Sequence, residues 1–205
     1  MKEELYGKLA TYDFKKLFAN KGYDFFEKGI YNLNIIGVRS NETHRVTNHY
    51  DDYLVVDYNV KHYHKRNIYK ITTDPGISAM RKPLNVKGTA ILAPGQYKGA
   101  YCIDVHNGKY KALCQRLAPV KVYRDNNKDD IYDFDPATLE SGMFGINIHR
   151  SNEFWTRPNI DGYSAGCQVF NDPNDFANFM NIVKKAEKIW GNKFTYTLIE
   201  ANELV

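Results

Sequence analysis

Apolar residues recur at helical spacing towards both ends of the chain and in short, strand-like runs between them. Leu5, Leu9, Tyr12, Leu17 and Phe18 lie three to five residues apart among Lys and Glu, which predicts helix over residues 1–28 with a break at Lys21-Gly22. From Ile30 to Ile103 the runs shorten, and β-branched and aromatic residues dominate. Residues 31–38, 53–58, 67–72, 88–92 and 101–105 read as strands, punctuated by the polar turn Ser40-Asn41-Glu42 and by Pro94-Gly95. Residues 120–123 and 131–134 continue the pattern on either side of a polar loop, and Phe144–Ile148 reads as an apolar strand leading into His149. After Cys167 the spacing turns helical again. Phe176, Phe179, Met180, Val183, Ala186 and Trp190 share one face, with Asp172 as cap, Pro173 in the first turn and Gly191 as stop. Phe194–Ile199 is a final strand. The expected architecture is mainly β (α+β), with a helical extension over 1–29 and one body over 30–205.

Composition narrows the function classes. The chain has 205 residues, of which 43 % are hydrophobic, so it can build a sizeable core and is neither disordered nor fibrous. No apolar run is long enough to span a membrane. The N-terminus shows no positive segment followed by an apolar one, so no secretory signal is expected. The formal net charge of +4 arises from 28 basic and 24 acidic residues mixed along the chain, which argues against a nucleic-acid partner. Three cysteines, Cys102, Cys114 and Cys167, are too few for a disulfide scaffold, and their odd number leaves at least one thiol free. Oligomeric state and localisation stay open.

Candidate chemistry concentrates between residues 141 and 170. A cysteine nucleophile needs a base or a positive field, donors for an oxyanion, and access. Ser164-Ala165-Gly166-Cys167 places small residues before a thiol, which uncovers the N–H groups of Gly166 and Cys167. The loop after His149, with Asn152, Pro158, Asn159 and Gly162, is long enough to bring an imidazole to that thiol. On residue types alone, a catalytic cysteine and a buried structural one are both open.

His149, fourteen intervening residues and then Ser164-Ala165-Gly166-Cys167 resemble the catalytic motif of the L,D-transpeptidase (YkuD-type) family, written His, 14 to 17 residues, Ser/Thr-His-Gly-Cys. Gly145–His149, Thr72-Thr73-Asp74-Pro75-Gly76 and Lys87–Ile91 resemble the stretches around that motif. The resemblance covers roughly residues 30–200. It implies a YkuD-like β-sandwich or open barrel with a helix after the catalytic cysteine, and no cofactor. Cys167 would be the nucleophile and His149 its base. Gly166 and Cys167 would supply oxyanion donors, and Ser164 would hold the turn. The implied substrate is a peptidoglycan stem peptide, cleaved between the L-centre of meso-diaminopimelate and a terminal D-Ala through an acyl-thioenzyme. An acceptor amine or water then completes transpeptidation or carboxypeptidase trimming. Two positions depart from the pattern. The family's second His is Ala165, and its Arg or Asn two residues after the cysteine is Val169, a contact that Gln168 or Arg150 is expected to replace. A catalytic Cys167 is expected to alkylate faster than the other two thiols, with a depressed pKa. A phage lysis or virion-associated murein peptidase fits the same motif, as does an inactive binding module of the same fold.

Other motifs carry less. Residues 125–133 set oxygen-bearing side chains at alternate positions, as a calcium loop does, but Asp130 stands where that loop needs Gly, and Pro136 where it needs Glu. His62-x-His64 would put two rings on one strand face without completing a zinc set. No metal site is therefore expected. His106 and Cys114 read as structural, and Asn41-Glu42-Thr43 fits a glycosylation sequon.

Overall fold

A computed structural model describes residues 2–40 and 43–205; Asn41 and Glu42, and with them the sequon and the polar turn, lie outside the described residues. Eight strands close into a barrel. They are β1 (Asn34–Arg39), β2 (Asp52–Val60), β3 (Tyr63–Thr72), β5 (Gly95–His106), β6 (Tyr110–Gln115), β9 (Ile148–Arg150), β10 (Gln168–Phe170) and β11 (Phe194–Glu200), in the order β1-β11-β5-β6-β9-β10-β3-β2. Strands β4 (Thr89–Leu92), β7 (Val120–Asp125) and β8 (Glu140–Gly142) form a separate three-stranded sheet. The mainly β expectation holds. The sandwich or open barrel does not, because the sheet closes on itself.

Within the barrel, neighbours pair antiparallel except β1 with β11 and β9 with β10. The inward faces of β1, β2 and β11 supply Ile35, Leu54, Val56, Tyr196 and Leu198 to the main core. Among the described residues there are four α-helices, α1 (Lys2–Thr11), α2 (Phe14–Lys21), the short α3 (Ile77–Arg81) and α4 (Pro173–Trp190), and two 3-10 turns at Pro136–Thr138 and Ala201–Glu203. Helix α4 adds Phe176, Phe179, Met180 and Val183 to that core, and Phe179 lies against the rings of Tyr69 and Phe170. Asp172 caps α4, accepting from the N–H groups of Asn174 and Asp175.

The outward faces of β1, β2 and β11 are covered as well. Leu9 of α1 and Phe14 and Phe18 of α2 pack on Ile36, Val38, Tyr53, Val55 and Ile199. Burial on both faces explains why β1 and β2 read as continuous apolar runs rather than alternating ones. The helix expected over 1–28 is broken a first time at Tyr12 and Asp13, where Asp13 caps α2; the expected break at Lys21-Gly22 is where α2 ends, with Gly22 in the left-handed conformation, and residues 23–28 are not helical. Arg66 of β3 donates to the carbonyls of Leu9 and Tyr12, both at 2.9 Å, and so anchors that break.

Three further differences bear on the site. Strand β6 has no counterpart in the sequence reading. Residues 131–134 make only one isolated bridge, between Ile131 and Arg45. Residues 144–147 are not strand either, since β9 begins at Ile148. The Gln115 side-chain carbonyl takes the N–H groups of Phe144, Gly145 and Ile146 at 3.0, 2.7 and 3.3 Å, competing with any ladder there.

Inside the barrel Gly37 leaves room for the Tyr196 phenol, for a Cβ there would sit 1.8 Å from its hydroxyl oxygen. That hydroxyl donates to the Gln168 side-chain carbonyl at 2.7 Å. Arg39, 1 % exposed, pairs with Asp74 at 2.8 Å and Glu200 at 3.1 Å and donates to the Leu92 carbonyl at 2.9 Å. It ties β1, the turn after β3, β4 and β11 together.

If the N-terminal helices belong to the fold rather than hang from it, Phe18→Ala should cost about 3–5 kcal/mol, the usual range for a buried Phe. Urea unfolding should show one transition with an earlier midpoint and unchanged slope. A separate early melt of the helices would contradict this packing.

Candidate active site

The parallel pair β9–β10 builds the site. Gln168 lies opposite Ile148 and Val169 opposite His149, so Cys167, two residues before Val169, shares the outer face with His149. Ile148 and Phe170 face inward to the core. Cys167 and His149 both open into one cavity of about 360 Å³, whose wall also includes His106, Asn147, Tyr163 and Ala165.

The turn before the thiol is held by its own atoms and by the segment after β3. The Ser164 hydroxyl donates to the Cys167 carbonyl at 2.8 Å and accepts from the Gly166 N–H at 3.2 Å. The Ser164 carbonyl accepts from the Gly76 N–H at 3.0 Å. Gly166 has φ +119°, and a Cβ there would stand 2.4 Å from the Ala90 carbonyl oxygen of β4, so no other residue fits. The Gly166 N–H is spent on Ser164 and is not free for an oxyanion. The Cys167 N–H meets no acceptor among the described residues and is the backbone donor left at the thiol.

His149 is buried, and its Nδ1 lies 2.9 Å from the Arg150 carbonyl oxygen. A carbonyl only accepts, so Nδ1 carries the proton and Nε2 holds the lone pair. The Tyr110 hydroxyl donates to the same carbonyl at 3.0 Å. The His106 ring stacks on His149 with centroids 4.1 Å apart and planes 21° apart. His106 is fixed in turn by the Asn147 side chain, 3.0 Å from its Nδ1, and the Asn107 side chain, 3.1 Å from its Nε2.

Burial sets the protonation of both groups. It pushes His149 down to about 3, helped by His106 and opposed by the hydrogen bond to the Arg150 carbonyl. It pushes the Cys167 thiol up to about 11, against the Asn147 N–H and more distant Arg116, which favour the thiolate. The thiol also donates to the Gly145 carbonyl at 3.5 Å. Burial thus works against the expected depressed Cys167 pKa: it favours the neutral thiol and the neutral imidazole in the one cavity that both residues line.

The two residues expected to touch substrate do not line the cavity. Gln168 is completely buried, and its side chain serves Tyr196 and, more weakly, the Thr73 and Gly166 carbonyls at 3.4 and 3.3 Å. Arg150 pairs with Glu153 at 3.1 Å and stacks on Tyr110, 4.3 Å from the ring centroid, so its backbone carbonyl is what serves the site. His106, Asn147, Tyr163 and Gln115 were not singled out as site residues. Nothing in their local sequence marks them, since each reaches the site through strand pairing or a loop crossing.

Among the described residues no group of three or more His, Cys, Asp or Glu could hold a metal ion. In the loop 125–133 the Asn127 amide bridges Asp129 and Asp133, and Asp130 turns away to Arg81. His64 pairs with Asp57, while His62 sits in the hairpin turn before β3. No helix among the described residues is long and apolar enough to cross a membrane.

Two outcomes follow from the protonation states. Iodoacetamide labelling of Cys167 should quicken by about tenfold per pH unit from 7 to 9, the slope of a thiol titrating well above that window. A plateau by pH 8 would refute the neutral resting pair. Between pH 6.5 and about 3 the unfolded chain binds a proton at position 149 that the native state refuses, so stability falls as pH drops through this window. His149→Asn should remove on the order of a few kcal/mol of that loss, read from urea midpoints at pH 7 and pH 4.

No protein-family model, no curated protein and no solved structure matches the chain.

Proposed function

We propose that the chain is a cysteine-dependent acyl-transfer enzyme acting on peptidoglycan stem peptides, in the manner of the L,D-transpeptidases its motif resembles. The observation that carries this reading is that one cavity holds both the Cys167 thiol and His149, with Nδ1 of the imidazole committed to the Arg150 carbonyl and Nε2 left to act as base. The YkuD-like assignment of the barrel belongs to the same proposal and rests on the spacing from His149 to Ser164-Ala165-Gly166-Cys167.

The chemistry follows from the neutral pair. A thiolate does not pre-exist, so sulfur attacks the stem-peptide carbonyl as its proton passes to His149 Nε2. The Cys167 N–H faces the oxygen that gains charge in the tetrahedral intermediate. Collapse breaks the C–N bond, and the imidazolium returns its proton to the departing amine of D-Ala, leaving a thioester on Cys167. An acceptor amine then yields a crosslink, or water yields a trimmed peptide. His149 takes the proton of the incoming nucleophile, and the cysteine leaves with it as a thiol.

A binding module of the same fold is the second reading, favoured by the protonated resting thiol and by Ala165 in place of a second histidine. One experiment separates the two. The protein incubated with defined tetrapeptide muropeptides should gain the mass of the acyl group on Cys167 and release D-Ala. Cys167→Ala should fold, form no adduct and lose turnover by roughly 10³-fold or more. Parent-like turnover in that variant would show the nucleophile to be another residue, and no adduct with the parent would favour the binding module.

A further inference from the structure

Beyond Tyr163 lies a second cavity, of about 440 Å³, lined by His49, Tyr50, Lys70, Thr156, Arg157 and Asn171 among others. The two cavities are neighbours through one stack: Arg157 lines the second and lies 5.3 Å from the ring of Tyr163, which lines the first. Two of the lining side chains, Lys70 and Arg157, are basic, and none is a carboxylate. Two acids of the adjoining chain segments already have partners. Asp161 accepts from the Asn48 side chain at 2.8 Å, and Asp172 accepts from Thr156 at 2.8 Å while capping α4.

Arg157 differs from the other arginine of this loop. Arg150 has Glu153, whereas no carboxylate among the described residues pairs with Arg157. Its guanidinium lies over the rings of Trp155 and Tyr163, 5.3 Å from each centroid, and its Nε is buried with no acceptor. The two rings restrict the guanidinium, and with no carboxylate on it among the described residues its donors are left for a partner. A buried donor without an acceptor is a place where an incoming oxygen gains most. The Tyr50 phenol, 2 % exposed, sits close enough to feel the Arg157 charge. Lys70 is exposed and forms no ion pair among the described residues.

We propose that this cavity is an oxyanion subsite, in which Arg157 and Lys70 take a carboxylate or phosphate group of a ligand. A planar fork suits either group, since both present two oxygens at matching separation. The proposal is independent of the role of Cys167.

The test titrates the whole protein with inorganic phosphate and, separately, with succinate, at ionic strength held constant with sodium chloride. The backbone amide signals of Thr156 and Asn171 are followed by NMR. At least one of the two anions should give saturable shifts that chloride alone does not, and the tighter of them identifies the preferred group. Arg157→Gln should weaken that affinity by about tenfold and Lys70→Gln by a few fold, while Arg81→Gln, on a distant exposed pair, should leave it unchanged. Linear drift indistinguishable from chloride for both anions, or parent-like affinity in Arg157→Gln, overturns the subsite. If Arg157→Gln fails to fold, Arg157→Lys keeps the charge without the fork, and parent-like affinity in it equally overturns the proposal.

Discussion

A barrel made of long hairpins still needs strands that join its first and last edges, and here that join is the parallel pair β9–β10. Each strand has three residues. Strand β9 reaches β6 through one residue pair, Leu113 with Ile148, and β10 reaches β3 through Val169 with Thr72 and Phe170 with Ile71. Parallel neighbours cannot be joined by a tight turn and need a crossover of about a dozen residues or more. The chain from 151 to 167 is that crossover. The interval between His149 and Ser164, which looks like a motif constant, thus also lies within a crossover long enough to close the barrel. Barrel closure and the placement of His149 and Cys167 on one face of the sheet are one constraint.

Strands this short carry little ladder of their own, so buried side chains brace them. Gln168 ties β10 to β11 through Tyr196, which fits because residue 37 is glycine. Gln115 gathers three successive N–H groups of the loop that enters β9, and its own N–H donates to the Asn147 side chain at 2.9 Å. The Asn147 carbonyl then accepts from the Gln168 N–H at 2.9 Å. Each brace is a buried polar group whose partners are protein atoms, and losing one member would strand the others at about 1–3 kcal/mol apiece. The thiol and imidazole inherit their rigidity from amides that perform no chemistry.

How much of this was legible follows from where the determinants sit. Helix α4 reads from the chain to its bounds because cap, periodicity and stop are all local. The hairpin strands read well because β-branched and aromatic residues crowd them. Residues 144–147 misled, since their apolar character suits a strand while Gln115, distant in sequence, claims their N–H groups. Strand β6 escaped because Tyr110-Lys111-Ala112-Leu113-Cys114-Gln115 mixes good and poor strand formers and is defined by pairing with β5. Gln168 and Arg150 were expected to replace the contact that the resembled family has two residues after its cysteine, and each directly follows a site residue, Cys167 or His149. Neighbours along a strand point to opposite faces, so adjacency was evidence for the wrong side of the sheet.

The same geometry explains why one cysteine of three is a candidate for chemistry. Burial raises the Cys102 thiol and takes Cys114 to about 11, the value that Cys167 also reaches. Thiol acidity in the free protein therefore separates nothing. Cys114 is completely buried, with only the Asp104 carbonyl at 3.7 Å for a partner. Cys167 faces a cavity, carries an unspent backbone N–H, and has across the strand pair an imidazole whose lone pair is kept free by Tyr110, Arg150 and His106. A neutral dyad in a partly closed cavity gains little until a carbonyl enters, because charge separation becomes favourable only when the developing oxyanion finds its donor. In the proposed reaction, reactivity would come from the bound substrate, and the burial that favours the protonated thiol would limit its reaction with anything that does not fill the cavity.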